Sequence, residues 1–496
     1  MSTTTSSTPR LKSGALGFAG AATMGAVMMA PALGIYANFG PLATNAGVVA
    51  PVVFFISLVA SLPTAISYAL VSREMPSSGS AYTWLWRTVR PTIGNGVGVI
   101  MALYYIIAVL LQPILFGLFF NDLLTYFGVQ STGFGTWLIG FLIDTVLVGV
   151  LVYRGIKLST HSVLIMMLIE AGVVTLLGLT IFFVKLSQGQ LNFAPFNPGA
   201  ALNGTTGLFA GIIFGLLSFT GYDVISTLAE ETKTPRSLIP RATIAACVGV
   251  GVFWIVMSWF YTMAVPISDV AKYTTSGVTP ITPIAHLYWG GANILVIITG
   301  MTAATGVYIA TVVGASRVLY AMGREGSLPK FFGQLHPRFQ VPWNAMHLIF
   351  ALTIVIDIIW ALWVGLYNAF GWWGSAIVFF ALVTYIFVNL ANIIFFWRFR
   401  REQFNVFLNL VIPVIGIVVG VYLLYNSFFV SLWGAGWQMG QSIVVLSLVL
   451  LVLTVIYTIG LRATRPALFA PGAAAPALAT ESIDGGTAEP DTAASL

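Results

Sequence analysis

Residues 207–241 read GLFAGIIFGLLSFTGYDVISTLAEETKTPRSLIPR. The first part of this stretch is apolar enough to cross a bilayer as a helix. In its middle stand Ser218, Phe219, Thr220, Gly221, Tyr222 and Asp223. A hydroxyl and an acid at bilayer depth are costly unless they face protein or water, and a glycine there lets the backbone leave helical geometry. The helix then resumes and ends in Glu230 and Glu231, followed by Lys233, Pro235, Arg236, Pro240 and Arg241. This is the pattern of a transmembrane helix broken at mid-depth with a charged collar at one end, a device that forms substrate sites in many transporters. A glycine-bearing helix packed closely on a neighbour gives the same letters.

The rest of the chain places that helix in a membrane. Of 496 residues, 58% are hydrophobic and 7% charged, against roughly 25% charged in soluble domains. Twelve apolar segments follow one another, at 16–37, 48–71, 96–127, 135–152, 162–185, 207–229, 242–265, 292–322, 345–366, 375–396, 407–428 and 440–461. Each spans roughly 30 Å of hydrocarbon as a helix and is too long and too evenly apolar for a barrel strand. With the N-terminus in the cytoplasm, 19 of the 21 basic residues fall inside and only Lys185 and Lys272 outside, which orients both termini inward. The basic residues are scattered between apolar segments, so nucleic acid is not an expected partner. The lone Cys247 excludes an internal disulfide, and the four histidines show no ligand spacing. A polar tail at 1–13 precedes the spans, and an Ala/Pro-rich, then acidic, tail at 466–496 reads as disordered.

The first span echoes the sixth. It reads ALGFAGAATMGAVMMAPALGIYANFG, with Gly17, Ala21 and Gly25 four apart as a close-packing face. Met29, Ala30, Pro31 and Ala32 then interrupt it about half-way, because a mid-span proline removes a hydrogen bond and crowds the preceding turn. Five spans separate the two interruptions. Two five-helix repeats of opposite topology, 14–185 and 207–398, followed by two further helices at 404–462, have this form.

Three segments carry a family resemblance: FTGYDVISTLAEETKTPRSLIPRA (219–242), AISYALVSREMPSSGSAYTWL (65–85) and ASRVLYAMGREGSLPKFFGQLHPRF (315–339). They resemble the amino acid–polyamine–organocation transporters over nearly all the structured chain. The Ala-Pro of the first span, TAISY and GSAYTW look most like bacterial permeases related to putrescine importers. The resemblance implies twelve helices, the inverted repeat, and alternating access around a site between spans one, three, six, eight and ten. The chain departs from the pattern in two places. Met29–Ala32 stands where amino-acid carriers often have a Gly-Ser-Gly type cradle. Tyr36, Ala37, Tyr104 and Tyr105 stand where putrescine importers bear acids.

The expected substrate-binding residues are Met29, Ala30, Pro31, Ala32, Tyr104, Tyr105, Ser218, Phe219, Thr220, Gly221, Tyr222 and Asp223. Asp223 reads first as a support for the unwound loop and second as an amine ligand. The resemblance implies that an aromatic beside the break, Phe219 or Tyr222, gates the site. Glu170, in HSVLIMMLIEAGVVTLL, has no base near it in sequence. A lone carboxyl group in an apolar span is a candidate proton carrier, and the alternative is a permanently neutral acid bonded to a neighbouring helix. Asp144 and Asp357 fall in peripheral spans and read first as structural. Thr302 and Thr305 are too weak a signal for a sodium site. Glu230, Glu231, Arg236 and Arg241, with Arg73 at the end of the second span, are a candidate gate, or a set of exposed charges. No catalytic constellation, metal set or phosphate loop is present, so no cofactor is expected. The reading is a secondary carrier of an amino acid or small organic amine in the cytoplasmic membrane, with proton as the expected coupling ion. Exchange is the alternative, and a channel or sensor lies further off.

Overall fold

The computed structural model describes residues 14, 16–130, 132–275 and 279–470. The expected tail at 1–13, and 471–496 of the expected C-terminal tail, lie outside the described residues. Among the described residues the fold is all-α. Twelve helices are long and apolar enough to cross a membrane. In order they are Phe18–Tyr36, Ala50–Glu74, Pro91–Tyr126, Phe134–Tyr153, Leu164–Ser187, Gly204–Thr227, Pro235–Thr262, Ile281–Arg324, Trp343–Val364, Leu366–Phe399, Phe407–Ala435 and Trp437–Thr464, here spans 1 to 12.

Burial sorts them. Spans 1, 3, 6, 8 and 10 are 67–83% buried, whereas spans 4, 5, 9, 11 and 12 are 28–39% buried. The outer set presents residues such as Val146, Leu362 and Val418 outward, as lipid-facing helices must when hydrocarbon is the solvent. The inner set supplies the walls of any internal site.

Three short helices seal the ends: Phe39–Ala46 after span 1, Ala81–Thr88 after span 2, and Ile267–Thr275 after span 7. The second is pinned by the Trp84 indole, which donates to the Met75 carbonyl at 2.6 Å, and by Tyr82, whose hydroxyl meets Ser327 at 2.9 Å. A polar ladder ties spans 2, 10 and 11. Ser67 donates to Asn389 at 2.7 Å, Asn389 to Thr64 at 2.8 Å, and Asn409 to Asn392 at 3.0 Å. Each amide here finds a partner, as buried polar groups in apolar surroundings must.

The start of the expected disordered C-terminal tail is instead ordered. Pro466–Phe469 forms a 3₁₀ turn, Arg465 donates to the Gly326 carbonyl at 3.0 Å, and the Phe469 ring stacks on Trp86 at 5.6 Å. An aromatic anchor and one capped carbonyl fix a segment whose Ala/Pro composition gives no hint of it.

Candidate substrate site between two broken helices

Span 1 breaks at Ala30. The helix Phe18–Met29 ends there, Ala30 takes the left-handed conformation (φ 55°), and a second helix, Pro31–Tyr36, starts at the proline. Proline does not kink a continuous helix here. It occupies the first helical position, where its missing N–H costs nothing and its fixed φ suits the turn. Left-handed geometry at a residue with a Cβ costs roughly 1–2 kcal/mol, strain that persists where surrounding packing imposes it. The freed Pro31 carbonyl accepts from the Trp254 indole of span 7 at 2.9 Å.

Span 6 breaks in the same layer. The helix Gly204–Phe219 gives way to Thr220 in extended geometry and Gly221 at φ 121°, and helix returns only as the single turn Val224–Thr227. The two breaks touch. A Cβ built on Gly221 would lie 2.6 Å from Cγ of Met28 and 3.0 Å from its carbonyl carbon, and one on Gly25 would lie 2.3 Å from Cδ1 of Ile225. Gly25, of the small-residue face, is therefore what lets span 1 close on span 6, whereas Gly17 has no atom within 4 Å of where its Cβ would stand.

Asp223 sits at the break, fully buried. Its Oδ1 accepts from the Gly221 N–H at 3.2 Å, from the Tyr104 hydroxyl at 3.2 Å and from the Tyr385 hydroxyl at 2.9 Å; its Oδ2 accepts from the Tyr105 hydroxyl at 2.6 Å. Three of the four donors crowd Oδ1 and one meets Oδ2, so the carboxylate is held from both sides of the break. Beside it Tyr222 stacks on Tyr385 at 5.5 Å, and Tyr68 stands edge-on to both.

A cavity of ≈ 40 Å³ lies against both breaks. Met29, Ala30, Ser218 and Thr220 line it from the breaks, and Asn38 and Gln112 from beside them. Leu115, Val307 and Ile377 complete an apolar wall. It has room for a few waters and none for an amino acid, so this conformation is contracted around the site.

The end of the bundle at which span 1 begins is shut. Arg317 of span 8 meets Glu231 through Nε–Oε2 at 2.6 Å and Nη2–Oε1 at 3.1 Å, with side-chain exposures of only 1% and 3%. Glu230 accepts from Arg324 at 3.2 Å and from the Ser78 hydroxyl at 2.6 Å. A two-bond bridge closes the seam: Leu16 N–H donates to the Glu231 carbonyl and Lys233 N–H to the Leu16 carbonyl, both at 2.9 Å.

Comparison with known proteins decides the family. Residues 16–457 match the model of the amino acid permease family. The chain belongs to that family. The permease is 30% identical over 402 residues to the low-affinity putrescine importer PlaP of Escherichia coli, covering 77% of this chain and 80% of that protein. It is 27% identical over 371 residues to the branched-chain amino acid permease BcaP of Lactococcus lactis, covering 71% and 75%. Its fold is similar to the crystal structure of a manganese transporter of Eremococcus coleocola (TM-score 0.56, 11% identity, 92% and 95% of the two chains). The permease is thus a multi-pass membrane transporter with the twelve-span fold, and not an enzyme.

The sequence-expected residues of the permease separate into groups. Met29, Ala30, Ser218 and Thr220 line the cavity; Tyr104, Tyr105 and Gly221 hold Asp223; Pro31 is capped by Trp254 and Ala32 is buried beside it. Phe219 turns away from the cavity onto Trp254, at 5.1 Å between centroids, so Tyr222 is the aromatic left at the break. The expected gate is corrected by the geometry. Glu230 and Glu231 are in buried ion pairs, but Arg236 and Arg241 are exposed and, among the described residues, pair with neither acid. Span 7 starts with Leu238, Ile239 and Ala242 turned inward, which forces both arginines outward. Arg73 is exposed and meets Glu74 at 3.0 Å. The partners that the sequence did not reveal are Arg317, Arg324 and Ser78 at the two glutamates and Tyr385 at Asp223. Glu170 is 2% exposed, with Oε2 unpaired among the described residues. It lies within electrostatic reach of Tyr36, at the end of the second half of span 1.

Proposed function

We propose that this permease carries an amino acid with an apolar side chain across the cytoplasmic membrane by alternating access, coupled to protons, with both termini in the cytoplasm. The observation that supports it is the meeting of two broken helices at one cavity. Helix ends there offer N–H groups to a carboxylate and carbonyls to an ammonium, while Leu115, Val307 and Ile377 offer an apolar wall. Relatives that import putrescine or branched-chain amino acids leave amine and amino acid both in play. Asp223 favours the amino acid, because its carboxylate already accepts from four groups of the protein and is turned to holding the break together. A thermal-shift screen of purified protein against amino acids and amines tests this, since a ligand stabilises the native state by mass action. Stabilisation by putrescine and by no amino acid would overturn the choice.

Two further results are expected. In a Cys247→Ser background, an impermeant thiol reagent added outside cells should label Gln188→Cys and leave Ser237→Cys unlabelled; the reverse would invert the orientation. Glu170→Gln should still bind and exchange substrate in proteoliposomes, because the amide keeps the shape of the neutral acid. Accumulation driven by a pH gradient should disappear. Full pH-driven accumulation by the variant would remove Glu170 from the mechanism, and exchange alone by the unaltered protein would make the permease an antiporter.

A further inference from the structure

Spans 4 and 9 face lipid over most of their surface, yet each carries an aspartate on its narrow buried stripe. On span 9 that stripe is Ile349, Thr353, Asp357 and Ala361, one residue per turn. On span 4 Asp144 and Thr145 lie on the inward side between Phe141 and Val148. Span 8 lies against both, with Thr305 and Tyr308 one turn apart. The packing is direct: Phe350 of span 9 meets the Tyr308 ring at 5.9 Å, and a Cβ on Gly149 of span 4 would lie 4.0 Å from Phe350.

The polar atoms in this layer are incompletely paired. Asp144 Oδ1 accepts from Thr305 at 2.6 Å. Asp144 Oδ2 and both carboxyl oxygens of Asp357 have no hydrogen-bond partner among the described residues, and the Tyr308 hydroxyl, near those of Thr145 and Thr353, makes no well-formed bond. All three side chains are 0% exposed, and the Tyr308 hydroxyl lies within electrostatic reach of both carboxylates. The two other hydroxyls, of Thr145 and Thr353, donate to carbonyls of their own helices. Of the charged and titratable groups of the surrounding spans, Glu170 and the Tyr153 hydroxyl keep an unpaired oxygen of their own, and the others are placed as follows. Arg317 binds Glu231, and His347 stands at the exposed start of span 9 against the Tyr153 ring. Tyr104, Tyr105 and Tyr385 bind Asp223. Asp122 binds Thr279 and Thr282, and Glu170 lies by Tyr36.

Two carboxylates in an apolar layer with no fixed cation require a mobile one. We propose that Asp144, Asp357 and Tyr308 form a proton-binding site between spans 4, 8 and 9, separate from the broken-helix cavity and from Glu170. A proton on one carboxyl group supplies the donor that the unpaired oxygens lack, and the Tyr308 phenol, reoriented from its position here, would donate to the carboxylate that remains. The site joins two outer helices to span 8, which also carries Arg317 of the gate, so its proton occupancy bears on the helix that the gate uses.

The test needs no substrate, so it stands apart from the transport reading. Infrared spectra of the purified full-length protein in nanodiscs would be recorded across pH. A carboxylic C=O band should appear as pH falls and should be lost or halved in Asp357→Asn and in Asp144→Asn. It should remain in Glu170→Gln. Tyr308→Phe should keep the band and shift its midpoint by about one pH unit, the equivalent of losing one charge-assisted hydrogen bond. A band unchanged by both asparagine variants would overturn the proposal, as would a carboxyl signal that stays neutral at every pH. If either asparagine variant fails to fold, the Tyr308→Phe midpoint decides, and an unshifted midpoint overturns the site. Sodium is the rival occupant. A melting temperature raised by sodium chloride over choline chloride in the unaltered protein, and not in Asp357→Asn, would replace the proton by a metal ion and overturn the assignment.

Discussion

Gly221→Val is expected to remove substrate binding while leaving membrane insertion intact. At φ 121° a β-branched side chain has no relaxed conformation, and its Cβ would enter the space of Met28, including the backbone carbonyl carbon at 3.0 Å. Strain of this kind costs of order 1–3 kcal/mol before any clash is counted. Relief comes by pushing span 1 off span 6 or by rewinding the break, and both dismantle the cavity. Ligand affinity should fall by roughly 100-fold or more, equivalent to about 3 kcal/mol. Gly221→Ala, which meets the same backbone atom with less bulk, should fall between. Saturation binding on both variants checks it, with surface labelling of the outer loop as the control for insertion. Affinity retained in the valine variant would mean that the break adapts without its glycine and that the site lies elsewhere.

Arg317→Met should be the most destabilising single change at the gate. It leaves the Glu231 carboxylate, 3% exposed, without its two guanidinium bonds. Removing one partner of a buried pair costs about 3–5 kcal/mol because the other charge stays buried. Arg324→Met is the contrast. That side chain is 26% exposed and the Glu230 it leaves behind keeps the Ser78 hydroxyl, so the cost should be smaller, about 1–3 kcal/mol. The double variant Glu231→Met/Arg317→Met should recover most of the stability, since two apolar side chains of similar volume replace the pair. It should not recover coupled transport, because the closed state would have lost its lock. Melting temperatures of the four proteins separate these cases. Equal losses from Arg317→Met and Arg324→Met would show that burial does not set the worth of the pair.

The two breaks were legible because their signals are local. Glycine and proline punctuate apolar runs, and polar letters at bilayer depth have few other uses. The residues that complete the site were not legible, because they meet across the fold. Tyr385 reaches Asp223 from 162 residues away and Arg317 reaches Glu231 from 86. Reading along the chain grouped the acids with Arg236 and Arg241, close by on the C-terminal side, and missed the rotation of span 7 that turns both outward. Phe219 illustrates the same limit. Two residues separate it from Tyr222, but the last helical turn of Gly204–Phe219 aims it at Trp254. Tyr104 and Tyr105 stood out as departures from an acidic pattern. Their use, as donors to an acid on another span, needed the third dimension.

The bridge between Leu16 and the strand-like segment around Thr232 has a practical side. It ties the entry of one broken helix to the exit of the other, so the two inner half-helices share a single handle. Whatever swings one of them drags the other, or must first break two backbone hydrogen bonds. A tag, fluorophore or surface tether placed just ahead of Leu16 therefore pulls directly on the moving parts, whereas one placed beyond Phe469 pulls on a corner anchored to Trp86. For single-molecule work the first attachment reports the stroke and the second holds the frame still.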